Sequence, residues 1–221
     1  MARGCERRVA WVGLATTVAA VLIASSAPHA QQVVDRVLAR VGEYAVTMTD
    51  LRAAVGFGLV ETGAGAGDPL EQVIARRLAL TEVFRRRPQE PEEGAIDAEA
   101  ARLRANAGDQ LSELMAATGV SADRLRGLAR ETLLIRAYLE DRFPLVPAGD
   151  ADAEQYYRRN PGAFTRDGAL LPFGDVADEA RRAASIERRD GRMATWFEGL
   201  RRRIDVVIPV TPGRPAAPPV R

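Results

Sequence analysis

Nucleophilic and general acid–base catalysis draw mostly on His, Cys, Lys, Asp, Glu and Tyr, and this chain carries few of them. It has one His (His29), one Cys (Cys5) and no Lys, so all 31 basic residues are Arg. Both rare residues fall in a segment with an export pattern. Arg3, Arg7 and Arg8 precede an uncharged run from Val9 to Ala24, and Ser25-Ser26-Ala27-Pro28-His29-Ala30 follows. A basic start, an apolar stretch and a small-residue exit are the three parts of a secretory signal peptide. The apolar run is about 16 residues, short of the ~20 that a membrane-spanning helix needs. An uncleaved anchor is the alternative reading. Cleavage is expected after Ala30, making residues 1–30 a signal peptide, and it removes the His and the Cys together.

The chain that remains has no His, Cys or Lys. That excludes Cys- or His-ligated zinc sites, Cys nucleophiles, Ser-His and Ser-Lys dyads, Schiff bases and disulfides. Only Asp, Glu and Tyr are left for proton transfer. Acidic pairs such as Glu92-Glu93 and Asp150 with Asp152 lie in linkers and helix caps, where solvation and capping explain them, so no hydrolase built on carboxylates is read from them. The signal segment holds three Arg and one Glu, so its removal changes the formal charge from +1 to −1. This balance gives no whole-chain reason to expect a nucleic-acid partner. No catalytic residue, metal or cofactor is expected.

The elements that must position any site read as mainly α with a small antiparallel β part. Val33 to Val41 is rich in β-branched residues, Gly42-Glu43 breaks it, and Tyr44-Ala45-Val46-Thr47 resumes it, which predicts a hairpin. Thr47 with Asp50 predicts a capping box and a helix from about Thr49 toward Phe57. Gly63, Gly65 and Gly67 lie in a flexible loop without the Lys and Ser/Thr of a phosphate-binding loop. Asp68-Pro69-Leu70-Glu71 is a strong helix start, and Leu70, Val73, Ile74, Leu78 and Val83 carry the apolar stripe until Pro88. One helix is expected from Asp97 to Gly119, another from Ser121 to Phe143, and a short one over Asp152 to Arg159. Residues Thr165 to Gly174 read as a connection. A long helix from Asp175 or Asp178 carries Met193, Trp196, Phe197, Leu200 and Ile204. Val206 to Val210 reads as a last strand joining the hairpin under the helices, and residues 211–221 as a Pro-rich disordered tail. Residues 31–210 would then be one core domain.

Three segments in order resemble the non-catalytic core of the SurA-type periplasmic chaperones and their parvulin relatives. Val34 to Leu51 looks like that family's opening hairpin and first cap. Val73-Ile74-Ala75-Arg76-Arg77-Leu78-Ala79-Leu80 is similar to its second-helix signature. Tyr156-Tyr157-Arg158-Arg159-Asn160-Pro161-Gly162-Ala163-Phe164 resembles the helix before its parvulin module, and Arg192 to Pro209 its closing helix and strand. The resemblance implies a SurA N-terminal-like helical domain, closed by a C-terminal helix and strand, in a periplasmic protein. Its partners would be unfolded secreted or outer-membrane polypeptides. Isomerase members carry roughly a hundred residues of parvulin module, a common small-domain size, after the tyrosine-bearing helix. Here only a short connection separates Phe164 from Asp175, so prolyl isomerase activity is not expected. A dedicated assembly partner for one envelope protein is the alternative function. Candidate client contacts are Phe57, Leu59 and Val60 beside the Gly-rich loop, and Leu170, Leu171 and Phe173 in the connection. Local packing is the competing account of the last three.

Overall fold

The computed structural model describes residues 35–209. The proposed signal segment and the Pro-rich tail lie outside them. Helices dominate, and a small antiparallel sheet closes one end. Strands β1 (Val37–Val41) and β2 (Tyr44–Thr47) form the expected hairpin, with Val41 opposite Tyr44 and Val37 opposite Thr47. The expected closure is present: β5 (Val206–Val207) pairs antiparallel with β1, giving the order β2-β1-β5.

Helix α1 (Met48–Gly56) starts where the capping box places it. Thr47 Oγ1 accepts the Asp50 amide at 3.2 Å, and Asp50 Oδ2 accepts the Thr47 amide at 2.9 Å. Helix α2 (Pro69–Arg85) starts on Asp68, whose carboxylate accepts the Leu70 amide at 3.0 Å. It buries Val73, Ile74, Leu78 and Val83, and is the central helix against which the sheet, α1, α5 and α7 pack. Helix α5 (Ala122–Arg142) is capped by Ser121.

The expected single helix from Asp97 to Gly119 is two helices. Helix α3 (Glu93–Ala107) begins four residues before Asp97, on Glu92, whose side chain makes no capping bond. Asp97 instead pairs with Arg126 at 2.8 Å. Gly108 takes a φ of 53°, a conformation that costs a side-chain-bearing residue more, and breaks the helix before α4 (Leu111–Thr118). The connection at 165–174 contains a small hairpin, β3 (Thr165–Arg166) with β4 (Ala169–Leu170). Asp167 and Gly168, with φ of 51° and 79°, make its two-residue turn, as Asp-Gly does in turns that need both central residues at positive φ. Helix α6 spans Asp150–Arg159, and α7 spans Phe173–Arg203, starting before either aspartate that the sequence offers as a cap.

Apolar burial falls into three clusters. The first joins Val46, Ile74, Leu78 and Leu200 between sheet, α2 and α7. The second joins Phe57, Ile96, Leu103 and Leu125 among α1, α3 and α5. The third is smaller, with Ala153, Phe164, Val176 and Ala180 joining α6, the β3–β4 hairpin and the first half of α7. The long α7 thus belongs to a helical body at its C-terminal half and to a smaller arm at its N-terminal half. Among the described residues, no helix is long and apolar enough to cross a membrane.

Glu99 on α3 ties the body together through charge. Its side chain is 6% exposed and accepts bonds from Arg102 Nε at 3.0 Å and Nη2 at 2.5 Å, with Arg136 of α5 at 3.6 Å. These hydrogen bonds, Arg102's first, hold its carboxyl below the usual carboxylate range against the opposing pull of burial. A depressed folded-state pKa contributes stability that is full above the unfolded value of about 4.3 and is lost as pH falls through the folded value. Glu99→Gln will therefore cost about 1.5–3 kcal/mol at neutral pH, the range for bonds to a charged group. That difference shrinks toward zero in acid, where Glu99 is itself protonated. Urea denaturation at both pH values checks this; an equal loss at both would contradict it.

Candidate functional site

Phe143-Pro144-Leu145-Val146-Pro147-Ala148 links α5 to α6. Two prolines, which lack an amide donor and disfavour helix in the residue before them, keep this segment extended. It crosses α7 as a strap pinned at both ends. Arg192 Nη2 donates to the Pro144 carbonyl at 2.8 Å. At the other end the Ala148 amide donates to Ser185 Oγ at 2.9 Å, and the buried Ser185 hydroxyl donates to the Arg181 carbonyl at 2.7 Å. Between the pins, Leu145 and Val146 stand 53% and 50% exposed.

Strap and α7 enclose an open cleft of about 940 Å³, with Phe143, Val146 and Trp196 as its apolar wall and Arg142, Arg188 and Arg192 at its rim. Trp196 is the hub of an aromatic group. Its ring centroid lies 5.5 Å from Phe143, 5.8 Å from Tyr138 and 4.7 Å from Phe197. One side packs on the body's first cluster and another lines the cleft. Arg142 sits 5.6 Å from the centroids of both Phe143 and Trp196, within the range of cation–π attraction. Arg188 is paired with Asp152 at 2.7 Å. Among the described residues, no carboxylate lines the cleft.

An apolar floor under a cationic rim can hold apolar side chains of an extended chain and accept its carbonyl or carboxylate groups through the guanidiniums. Thr195 is the one hydroxyl among the described lining residues. Among the described residues, no group of three or more His, Cys, Asp or Glu side chains is placed to hold a metal ion.

The six candidate contacts read from the sequence do not come together. Phe57 and Val60 are corrections. Phe57 is fully buried and Val60 is 8% exposed, because the chain turns back after α1 and drives both into the core. Leu59, also partly buried, lines a smaller pocket among α1, α2 and α5. In the arm, Leu170 is 49% exposed on β4. Leu171 packs on the third cluster, where its carbonyl accepts the Tyr157 hydroxyl at 2.6 Å. Phe173 packs against Tyr157 edge to face at 5.6 Å. Sequence reasoning passed over Phe143, Val146 and the rim arginines. The signal was present in the paired prolines, which mark an extended apolar segment that no helix or strand absorbs.

The chain matches no family model, no curated protein and no solved structure.

Proposed function

We infer that the protein is a chaperone-like binder of the cell envelope, which holds unfolded secreted or outer-membrane polypeptides without isomerising their prolines. The observation that carries this reading is the open cleft between strap and α7, where half-exposed Val146 stands beside the partly buried Trp196 and arginines line the wall. Exposed apolar surface held in place by a pinned strap suits a client that presents apolar side chains in an extended backbone. Two or three such side chains, each worth about 1.5–3 kcal/mol when fully buried, together with guanidinium contacts to the client backbone, exceed the cost of association by a small margin. Binding is then reversible and needs no energy source. Binding the unfolded client also withdraws it from aggregation by mass action.

Export by the N-terminal segment, periplasmic location and kinship with SurA-type chaperones belong to the same proposal, supported by the sequence pattern and the order of the resembling segments. The short β3–β4 hairpin fills the connection in which the isomerases that the sequence resembles would carry a parvulin module, which supports binding without catalysis.

Trp196 gives a direct test. The chain has two tryptophans, so Trp11→Phe leaves Trp196 as the only one. Titration with an unfolded, tryptophan-free outer-membrane polypeptide is expected to shift its emission to the blue as the client covers the cleft. An unchanged spectrum at saturating client would overturn the cleft as the binding site. Acceleration of X–Pro isomerisation in a peptide assay would overturn the non-catalytic reading.

A further inference from the structure

The pocket that Leu59 lines is chemically unlike the cleft. Its free volume is about 80 Å³, and Leu59, Val73, Leu80, Val120 and Leu128 form its apolar side. Three guanidiniums, Arg76, Arg77 and Arg124, meet two carboxylates, Asp50 and Glu131, on the other side.

The partners of these groups leave one arginine over. Glu131 pairs with Arg124 at 2.9 Å and with Arg76 at 3.7 Å. Arg76 also donates to the Leu128 carbonyl at 3.2 Å and to Thr132 Oγ1 at 3.0 Å. Asp50 is committed to the α1 cap and to the Tyr44 hydroxyl at 3.2 Å. Arg77 has no hydrogen-bond acceptor and no ion pair among the described residues, and its Nε is buried without a partner. Its guanidinium carbon lies over the Tyr44 ring, 3.0 Å from the centroid, a cation–π contact that leaves the Nη donors unused. Burial pulls the Arg77 pKa below its ordinary value, with the nearby Tyr44 and the Glu131 and Asp50 carboxylates opposing. Only Nε is cut off from solvent; Arg77 as a whole is half-buried, and its Nη donors remain available to a ligand.

We propose that this pocket binds a monocarboxylate carrying a compact aliphatic group, with the carboxylate on Arg77 and the aliphatic part against Leu59, Val73 and Val120. A planar carboxylate matches the guanidinium fork with two parallel bonds. One negative charge also balances the one cation in excess. Size decides the apolar part. The free volume of about 80 Å³ beside these apolar side chains suits a compact aliphatic group. A free short-chain acid and the C-terminal end of a polypeptide finishing in Leu or Val both present this chemistry. The site is separate from the client cleft: Glu131 and Arg142 on α5 are about 16 Å apart along the helix axis at 1.5 Å per residue. The proposal does not rest on the chaperone reading.

Isothermal titration of the full chain tests it with N-acetyl-leucine, 4-methylpentanoate and the neutral N-acetyl-leucinamide. Both acids are expected to bind, and the amide at least tenfold more weakly. Tighter binding of N-acetyl-leucine assigns the site to chain ends, tighter binding of 4-methylpentanoate to free acids, and equal binding supports the shared chemistry. Arg77→Gln is expected to abolish binding of both acids. Arg77→Lys, which keeps the charge and loses the fork, is expected to fold and to weaken both at least tenfold. Absence of heat with either acid, equal affinity for the amide, or undiminished binding by Arg77→Lys would overturn the proposal.

Discussion

Replacing Phe57 by Ala will lower the unfolding free energy by about 3–5 kcal/mol, the range for deleting a buried aromatic ring. Phe57 has no exposed surface and sits at the end of α1, packed in the cluster of Ile96, Leu103 and Leu125. Its carbonyl accepts Asn106 Nδ2 at 3.0 Å, which fixes the backbone as α1 ends and leaves no easy collapse around the missing ring. Domains of this kind are stable by about 5–15 kcal/mol in total, so the variant will be near its unfolding threshold. In urea its midpoint will fall with an unchanged slope. A loss below about 1 kcal/mol, far under that range, would mean that Phe57 leaves the core readily. It would then return as a candidate client contact.

Phe164→Ala will act locally and almost as strongly. Phe164 is 1% exposed and is the one large side chain among the fully buried members of the arm's cluster, with Ala153, Val176 and Ala180 around it. Tyr157 packs on it at 5.2 Å and Tyr156 edge to face at 6.1 Å. Ala153, Val176 and Ala180 are too small to fill the gap and Tyr157 is held by its bond to the Leu171 carbonyl, so loss of the ring costs about 3–5 kcal/mol. Regions of a protein open with different free energies, and the arm has the smaller core. Amide exchange in α6 and the β3–β4 hairpin is expected to accelerate about a hundredfold or more, since each 1.4 kcal/mol is tenfold. Amides of α2 are expected to keep their protection. Equal acceleration in α2 and α6 would show that arm and body unfold as one unit. The variant bears on function too, because α6 begins directly after the Ala148–Ser185 pin of the strap.

What the sequence made legible was local or exhaustive. Thr47 with Asp50, Asp68 with Pro69, and Ser121 announce helix starts because a cap is a contact between residues a few positions apart. The β1–β5 pairing was legible because Val206-Val207 is the last β-branched run, and a lone strand must find an edge. Glu92 failed as a signal because its side chain does not cap, while Asp97, a good capping type, is occupied by Arg126. The β3–β4 hairpin has two residues per strand, too few for alternation to register, although Asp167-Gly168 names its turn. The cleft depends on tertiary contacts. Arg192 reaches Pro144 across 48 residues of chain, and no periodicity encodes that meeting. Phe57 and Val60 misled because an apolar residue beside a glycine-rich loop looks the same in sequence whether it faces the solvent or the core.

The most direct test of the central claim is light scattering while several unrelated unfolded outer-membrane proteins are diluted into buffer with the full chain or with its Val146→Asp variant. Val146 is half exposed, so the substitution is expected to leave the unfolding free energy in urea within about 0.5 kcal/mol of wild type, as surface changes usually do. It places a buried-charge penalty wherever a client would cover the cleft. The account predicts that the wild-type chain suppresses aggregation of all the clients and that the variant loses most of this suppression. Suppression of one client alone would point to a dedicated assembly partner. No suppression by the wild-type chain, or full suppression by the variant, would contradict the account.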